Sequence, residues 1–208
     1  MGAAMPASPR GRPHAAAWEN FRMPSFSDVT LATPRLTLRP LARPDAAAVF
    51  AMRSDPVVQR YGSHPAWTDP QLAVDYIERN IQAMAAGTHA QFAVVRRADD
   101  AVIGTVTLYA LDAQCRRADV GYALLVSEWG RGYANEAVTA LLDWGFGYLD
   151  LNRVEADIDP RNVPSARALE RLGFVREGHL RERWIVGGEV CDSWIYGLLA
   201  SEWKARRA

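Results

Sequence analysis

The chain has 208 residues, 49% of them hydrophobic and 23% charged, with Lys+Arg 24 set against Asp+Glu 24. That length holds one sizeable core and is short for two, and zero net charge offers no global field for nucleic acid or an anionic membrane. Cys115 and Cys191 lie far apart with no CxxC or Cys/His cluster around them. Neither a disulfide framework nor a metal site is suggested, which fits a reducing cytoplasm. No apolar run approaches the ~20 residues of a membrane span, and no apolar signal core follows Arg10 and Arg12.

In chain order, residues 1–30 are rich in Ala, Pro, Ser and Arg without a sustained period, and read as a flexible tail. A single domain is expected over 31–208. It opens at Arg35-Leu36-Thr37-Leu38-Arg39, whose polar–apolar alternation is that of a half-buried strand. Pro44-Asp45 starts a helix running to about Arg53, and Asp55-Pro56 marks its break. Tyr61 to Trp67 reads as a loop, and Asp69-Pro70 starts a second helix to about Ala86. Strands follow over Phe92–Val95, Val102–Tyr109 and about Ala118–Leu125. The period then changes. Ala134, Ala137, Val138, Leu141, Trp144 and Tyr148 recur at helical spacing behind the loop Gly130-Arg131-Gly132. Val154, Ala156 and Ile158 alternate with acids as another strand. Asn162 and Pro164 open a helix that Gly173 stops. Two last strands, around 174–186 and 189–199, turn at Gly187-Gly188. The order β-α-α-β-β-β-α-β-α-β-β predicts a mixed α/β fold with helices on the sheet.

Two segments carry chemistry. In Leu124-Leu125-Val126-Ser127-Glu128-Trp129-Gly130-Arg131-Gly132-Tyr133-Ala134-Asn135-Glu136 a strand feeds a Gly-containing loop that opens into a helix. Glycines admit a ligand close to the backbone, and the free N–H groups of a helix start attract an anion such as a pyrophosphate. Many strand-to-helix turns use Gly for geometry alone, and this is neither a GxGxxG fingerprint nor a P-loop. The second segment runs Asn162-Val163-Pro164-Ser165-Ala166-Arg167-Ala168-Leu169-Glu170-Arg171-Leu172-Gly173-Phe174.

Together the pair resembles the GNAT superfamily of N-acetyltransferases. Gly132 and Ala134 match its (Gln/Arg)-x-x-Gly-x-(Gly/Ala) motif, and Asn162, Ser165 and Leu172-Gly173-Phe174 match the second. The likeness spans roughly Thr33 to Trp203. Arg35 to Leu41, Asp45, Asp55-Pro56 and the Trp67 loop are similar to the branch that acetylates N-terminal serine or alanine of ribosomal proteins. The resemblance implies a centrally splayed sheet of about seven strands flanked by four helices. It implies acetyl-CoA as co-substrate and, as acceptor, a primary amine: a protein N-terminus, or a polyamine, aminoglycoside or other small amine. A non-catalytic acyl-CoA-binding module is the further alternative. Either a monomer or a homodimer is compatible with it.

The resemblance also implies roles. Ala123 and Leu124 would pair with the pantetheine arm. The amides of Gly130, Arg131, Gly132, Tyr133, Ala134 and Asn135 would hold the pyrophosphate, Asn162 would bond the pantetheine, and Arg167 would reach a phosphate or the adenine or else lie on a solvated helix face. Two positions depart from the pattern. Trp129 stands where Gln or Arg is common, and Leu169 where many members place a Tyr that protonates the leaving thiolate. Ser165 is the nearest substitute acid, or a helix cap. As general base, Asp119 and Asp157 are candidates, each equally readable as a salt-bridged sheet carboxylate. Glu128 reads as loop-exposed. Trp184, Trp194 and the Tyr61–Trp67 loop are expected to border the acceptor pocket.

Overall fold

The computed structural model of the chain describes residues 24–207. They begin with β1 (Leu31–Ala32) and β2 (Leu36–Pro40), then α1 (Ala46–Ser54), the single-turn α2 (Pro56–Gln59) and α3 (Gln71–Ala86). Next come β3 (Ala90–Arg96), β4 (Ala101–Asp112), β5 (Arg117–Leu124) and α4 (Tyr133–Gly147). β6 (Arg153–Ile158), α5 (Val163–Leu172), the hairpin of β7 (Val175–Val186) and β8 (Glu189–Leu199), and α6 (Ala200–Arg207) complete the order.

The eight strands form a sheet in the order β1-β2-β3-β4-β5-β6-β8-β7. Against the expected seven strands and four helices, β1, α2 and α6 are additional. β1 has only two residues, too few for a visible period. α1 ends at Ser54 with Asp55 extended, so Asp55-Pro56 marks the break as expected, but a further helix starts at once. Pro56 occupies the first turn of α2, where its missing N–H costs nothing, and Asp55 caps that turn by accepting the Val57 N–H at 2.8 Å. α6 is mostly polar, and its buried residue is Trp203, whose indole donates to Asp143 at 2.9 Å.

Of the expected tail, residues 1–23 lie outside the described residues, while residues 24–30 are held to the core through Phe26, most of the others being exposed. Phe26 is fully buried, meets the Trp144 ring edge-on at 5.3 Å, and donates its N–H to the Met84 carbonyl at 2.8 Å. Burying one such ring contributes about 1.5–3 kcal/mol, enough to anchor a short segment that has no repeating pattern of its own.

The sheet is covered on both faces. In β3, Phe92 and Val94 face the cluster built with α4, including Leu141 and Trp144, whereas Ala93 and Val95 face the cluster of Val49, Ala73 and Ile77 on α1 and α3. That is why β3 is buried from Ala90 to Val95 with no polar–apolar alternation in its burial.

The centre of the sheet opens. β5 pairs antiparallel with β4 as far as Leu124, and β6 pairs antiparallel with β8 as far as Ile158. Between β5 and β6 the ladder is parallel and stops after Arg117↔Arg153, Ala118↔Val154 and Asp119↔Glu155. Each strand stays with its antiparallel partner, so Val120–Leu124 and Ala156–Ile158 diverge and leave two strand edges facing a wedge.

Candidate active site

Strand alternation decides which backbone groups face the wedge. The Leu125 N–H donates to the Ile103 carbonyl at 2.9 Å, on the β4 side. Backbone groups of alternate residues point the same way, so Ala123 also faces β4, while Tyr122 and Leu124 turn towards the wedge. The Leu124 carbonyl is already taken by the Trp129 indole N–H at 2.9 Å, which leaves the Leu124 N–H for a ligand. Trp129, a departure from the expected motif, therefore holds the strand end to the loop that follows.

That loop ends at the N-terminus of α4. Gly132 is the N-cap with φ 79°, a left-handed conformation that suits glycine. The first helical bond runs from the Glu136 N–H to the Gly132 carbonyl at 3.1 Å, so the amides of Tyr133, Ala134 and Asn135 lie ahead of it without an intrahelical acceptor. Glu136 does not compete for them. Its carboxylate accepts from Thr33 Oγ1 at 2.6 Å, the Arg35 N–H at 2.9 Å and Arg35 Nε at 2.6 Å. Burial pushes the Glu136 carboxyl up, but these bonds outweigh it and hold it below its ordinary range. Arg35 also donates to the Arg131 carbonyl at 3.0 Å and lies 4.5 Å from the centre of the Tyr133 ring. Its cation thus stands beside the anion-attracting turn, a placement nothing in the motif indicated.

Glu128, expected to be exposed, is buried. The short 3-10 turn Val126–Glu128 tucks it under the loop, where Arg96 Nη1 donates to it at 2.8 Å and Arg131 Nη1 at 3.4 Å. The partner that draws it in, Arg96, is 32 residues away in sequence.

A cavity of about 360 Å³ opens at the mouth of the wedge. Of the expected site residues it is lined by Ala123, Asp157, Asn162 and Ser165, but not by Asp119. Asp157 accepts the Trp184 indole N–H at 3.2 Å, and Arg183 Nε lies 3.6 Å from it. Asp119 sits deeper, at the last rung of the β5–β6 ladder, with its Oδ1 buried and without a hydrogen-bond partner among the described residues. Burial pushes its carboxyl up, Glu155 adds to this, and Arg117 acts against both. Tyr109, which lines the cavity, is pushed up to about 12 by burial together with the charges of Asp119 and Asp157. Gly121 leaves room for Thr107 and the Tyr109 ring; a Cβ there would lie 3.2 Å from Thr107 Cγ2 and 3.5 Å from Tyr109 Cε1.

At the start of α5 the cap is Asn162, not Ser165. Asn162 Oδ1 accepts the Ser165 N–H at 3.2 Å, and the Ser165 hydroxyl is free to pair with the Tyr122 hydroxyl at 2.8 Å. Tyr122 is held up by burial, so it keeps its proton near neutral pH. Leu169 is fully buried in the core. Tyr122 was not singled out from sequence, although it lies two residues before Leu124 on the same strand face. Arg167 is exposed and makes no hydrogen bond or ion pair among the described residues. Trp194 packs against the core with Arg176 4.4 Å above its ring, and His64 stacks on Trp67 at 5.7 Å.

The sequence matches the family described as "Acetyltransferase (GNAT) domain" over residues 35–175. The chain belongs to the GNAT acetyltransferase family. An N-acetyltransferase of Bacillus licheniformis, p20, is 38% identical to it over 174 residues, 84% of this chain and 98% of that protein. Two crystal structures share its fold: the ribosomal-protein-S5-alanine acetyltransferase of Vibrio fischeri (24% identical, TM-score 0.74, 85% and 99% of the two chains) and the spermidine N-acetyltransferase of Vibrio cholerae in complex with CoA and spermine (23% identical, TM-score 0.74, 83% and 99%). The enzyme is an acyl-CoA-dependent N-acetyltransferase whose co-substrate is acetyl-CoA. Among the described residues no His, Cys, Asp or Glu group could hold a metal ion, and no helix is long and apolar enough to cross a membrane.

Proposed function

We propose that the enzyme acetylates the N-terminal α-amine of a protein or peptide by direct attack, with both substrates bound together. What supports this acceptor is the pairing of the cavity's carboxylates. Arg161 bonds Asp159 at 2.6 Å and also Glu189, while Asp192 accepts from His179 at 2.7 Å and from the Glu182 N–H at 2.8 Å. The wall therefore offers little unmatched negative charge to a polycation. Asp157, held loosely by an indole and a more distant arginine, keeps lone pairs for a single ammonium or a relaying water. A polyamine acceptor is the second reading, favoured by the count of four carboxylates in the wall, Asp157, Asp159, Glu189 and Asp192.

Acetyl-CoA supplies an acetyl group activated as a thioester. In our reading the Leu124 N–H donates to the thioester oxygen, which gains charge as the amine attacks. The amides of Gly130 to Asn135 and Arg35 bind the pyrophosphate, a helix-dipole contact contributing about 0.3–1 kcal/mol. Asn162, with its amide nitrogen unused by the cap, bonds the pantetheine, and Arg167 reaches a phosphate. Asp157 takes the amine proton, directly or through water, and Asp119 acts on it only through its charge. An α-amine of pKa ~7.7–8.0 is appreciably neutral at physiological pH, so a weak base suffices. Ser165, backed by Tyr122, donates to the leaving sulfur; a thiol of pKa ~8.5 leaves tolerably even without full protonation.

Thiol release from acetyl-CoA, measured with peptides and with spermidine, tests the acceptor. Peptides bearing a free α-amine should exceed spermidine in kcat/KM by tenfold or more. The reverse order assigns a polyamine and removes the proposal.

A further inference from the structure

The two sides of the acceptor cavity are chemically opposite. The carboxylates stand on β6 and β8 and in the loop after β6. Facing them, Arg53, in the last turn of α1, and Arg60, just after α2, line the same cavity. Among the described residues Arg53 meets no carboxylate. Its Nη1 lies 3.3 Å from His64 Nε2, its Nη2 donates to the Tyr76 hydroxyl at 3.1 Å, and its guanidinium lies 5.3 Å from the centre of the Tyr76 ring. The His64 Nδ1 lies 3.1 Å from the Pro65 carbonyl, which fits a neutral imidazole accepting at Nε2. The Arg53 Nε is buried and has no hydrogen-bond partner among the described residues. Among the described residues the Arg60 guanidinium meets the Tyr61 ring, at 5.5 Å, and no carboxylate.

A half-buried guanidinium without a carboxylate partner carries an uncompensated desolvation cost, unlike Arg161, which binds two of the wall's carboxylates, Asp159 and Glu189. Its planar fork suits a bidentate oxyanion such as a carboxylate. We infer that Arg53, with Arg60 beside it, binds a carboxylate on the acceptor, so that the preferred substrate is an α-amine with an acidic group close to it. The amine then faces Asp157 and the acid faces Arg53, each group meeting the wall of opposite charge. A second ammonium would instead be driven against Arg53. A peptide with an acidic residue directly after its N-terminus carries both groups, and so does a free α-amino acid. This inference rests on the α-amine reading above and narrows it.

The test is a series of peptides identical except at the second residue, Glu, Gln or Lys, with free glutamate and serine as separate arms, all assayed by thiol release with the full-length enzyme. Glu should exceed Gln in kcat/KM by about tenfold, the equivalent of one charge-assisted hydrogen bond, and Lys should fall below Gln. Faster turnover of the amino acids than of any peptide would identify the free amino acid as the source of the carboxylate. In Arg53→Gln the Glu and Gln peptides should converge, and in Arg53→Lys part of the preference should return, with acetyl-CoA binding by calorimetry confirming that each variant is folded. Equal rates for Glu, Gln and Lys peptides on the unaltered enzyme would overturn the inference while leaving α-amine acetylation standing, and this arm needs no variant. Turnover of spermidine alone would remove both.

Discussion

Asp119 and Asp157 are one strand apart, and the structure separates them by what surrounds each. Asp157 lines the cavity beside Trp184, whereas Asp119, partly buried, sits at the last rung of the β5–β6 ladder and outside the cavity lining. If Asp157 accepts the amine proton, Asp157→Asn keeps the size and removes the acceptor. The variant's rate should then climb with pH towards the substrate's own pKa, ~8 for an α-amine, while the unaltered enzyme levels off earlier. Parallel pH profiles would exclude Asp157 as the base. Asp119 makes a different prediction. Its folded pKa lies above the ordinary value because burial and Glu155 disfavour its charge. Stability is therefore full while the carboxyl is protonated and declines as pH rises through the folded pKa. Asp119→Asn should raise the urea midpoint at pH 7, and the gain should vanish below the ordinary aspartate pKa of ~3.9. A loss of stability at pH 7 would mean that the charge is favourable there. From sequence both residues were simply carboxylates on strands, because where two strands part cannot be read from either strand alone.

Elements were legible wherever one period dominated. The i, i+3, i+4 recurrence through α4 and the two-residue alternation of β6 both placed their strand and helix to within a residue or two. Gly187 and Gly188, both with positive φ, form the β7–β8 turn as expected. What the sequence did not display were elements decided by single side chains: Phe26 anchoring the segment before β1, Asp55 capping α2, Trp203 docking α6. The start of α5 shows the same limit at finer grain, since Asn162 and Ser165 were both possible caps and only geometry freed the Ser165 hydroxyl for Tyr122. The start of α4 carries the sharpest prediction of this scale. Gly132→Asp places a carboxylate at the turn that we assign to the pyrophosphate, with Arg35 the nearest group to the added Cβ, at 3.5 Å. Aspartate tolerates the left-handed region at modest cost, so the fold should survive. Acetyl-CoA affinity by calorimetry should fall by tenfold or more; an unchanged affinity would detach this loop from the cofactor.

At the scale of the molecule, the function follows from one topological event, the parting of β5 from β6. It exposes a strand edge for an extended ligand, and it sets the anion-attracting start of α4 and the capped start of α5 beside that edge. It also opens a cavity whose two walls come from distant parts of the chain, α1–α2 on one side and β6–β8 on the other. The family motifs marked the side that we assign to the cofactor because they are local. On the side we assign to the acceptor, the start of the Tyr61 loop, Trp184 and Asp157 line the cavity as the sequence suggested, whereas Arg53 and Tyr109 were not legible, since they reach it only when the sheet is assembled. The central claim, acetyl transfer to an α-amine, is tested most directly by mass spectrometry on one peptide carrying both a free N-terminus and an internal lysine. After incubation with acetyl-CoA and the enzyme, fragmentation should place a single acetyl group on the α-nitrogen and none on the lysine. Acetylation at the lysine, or a peptide left unmodified while spermidine is consumed, would contradict the account.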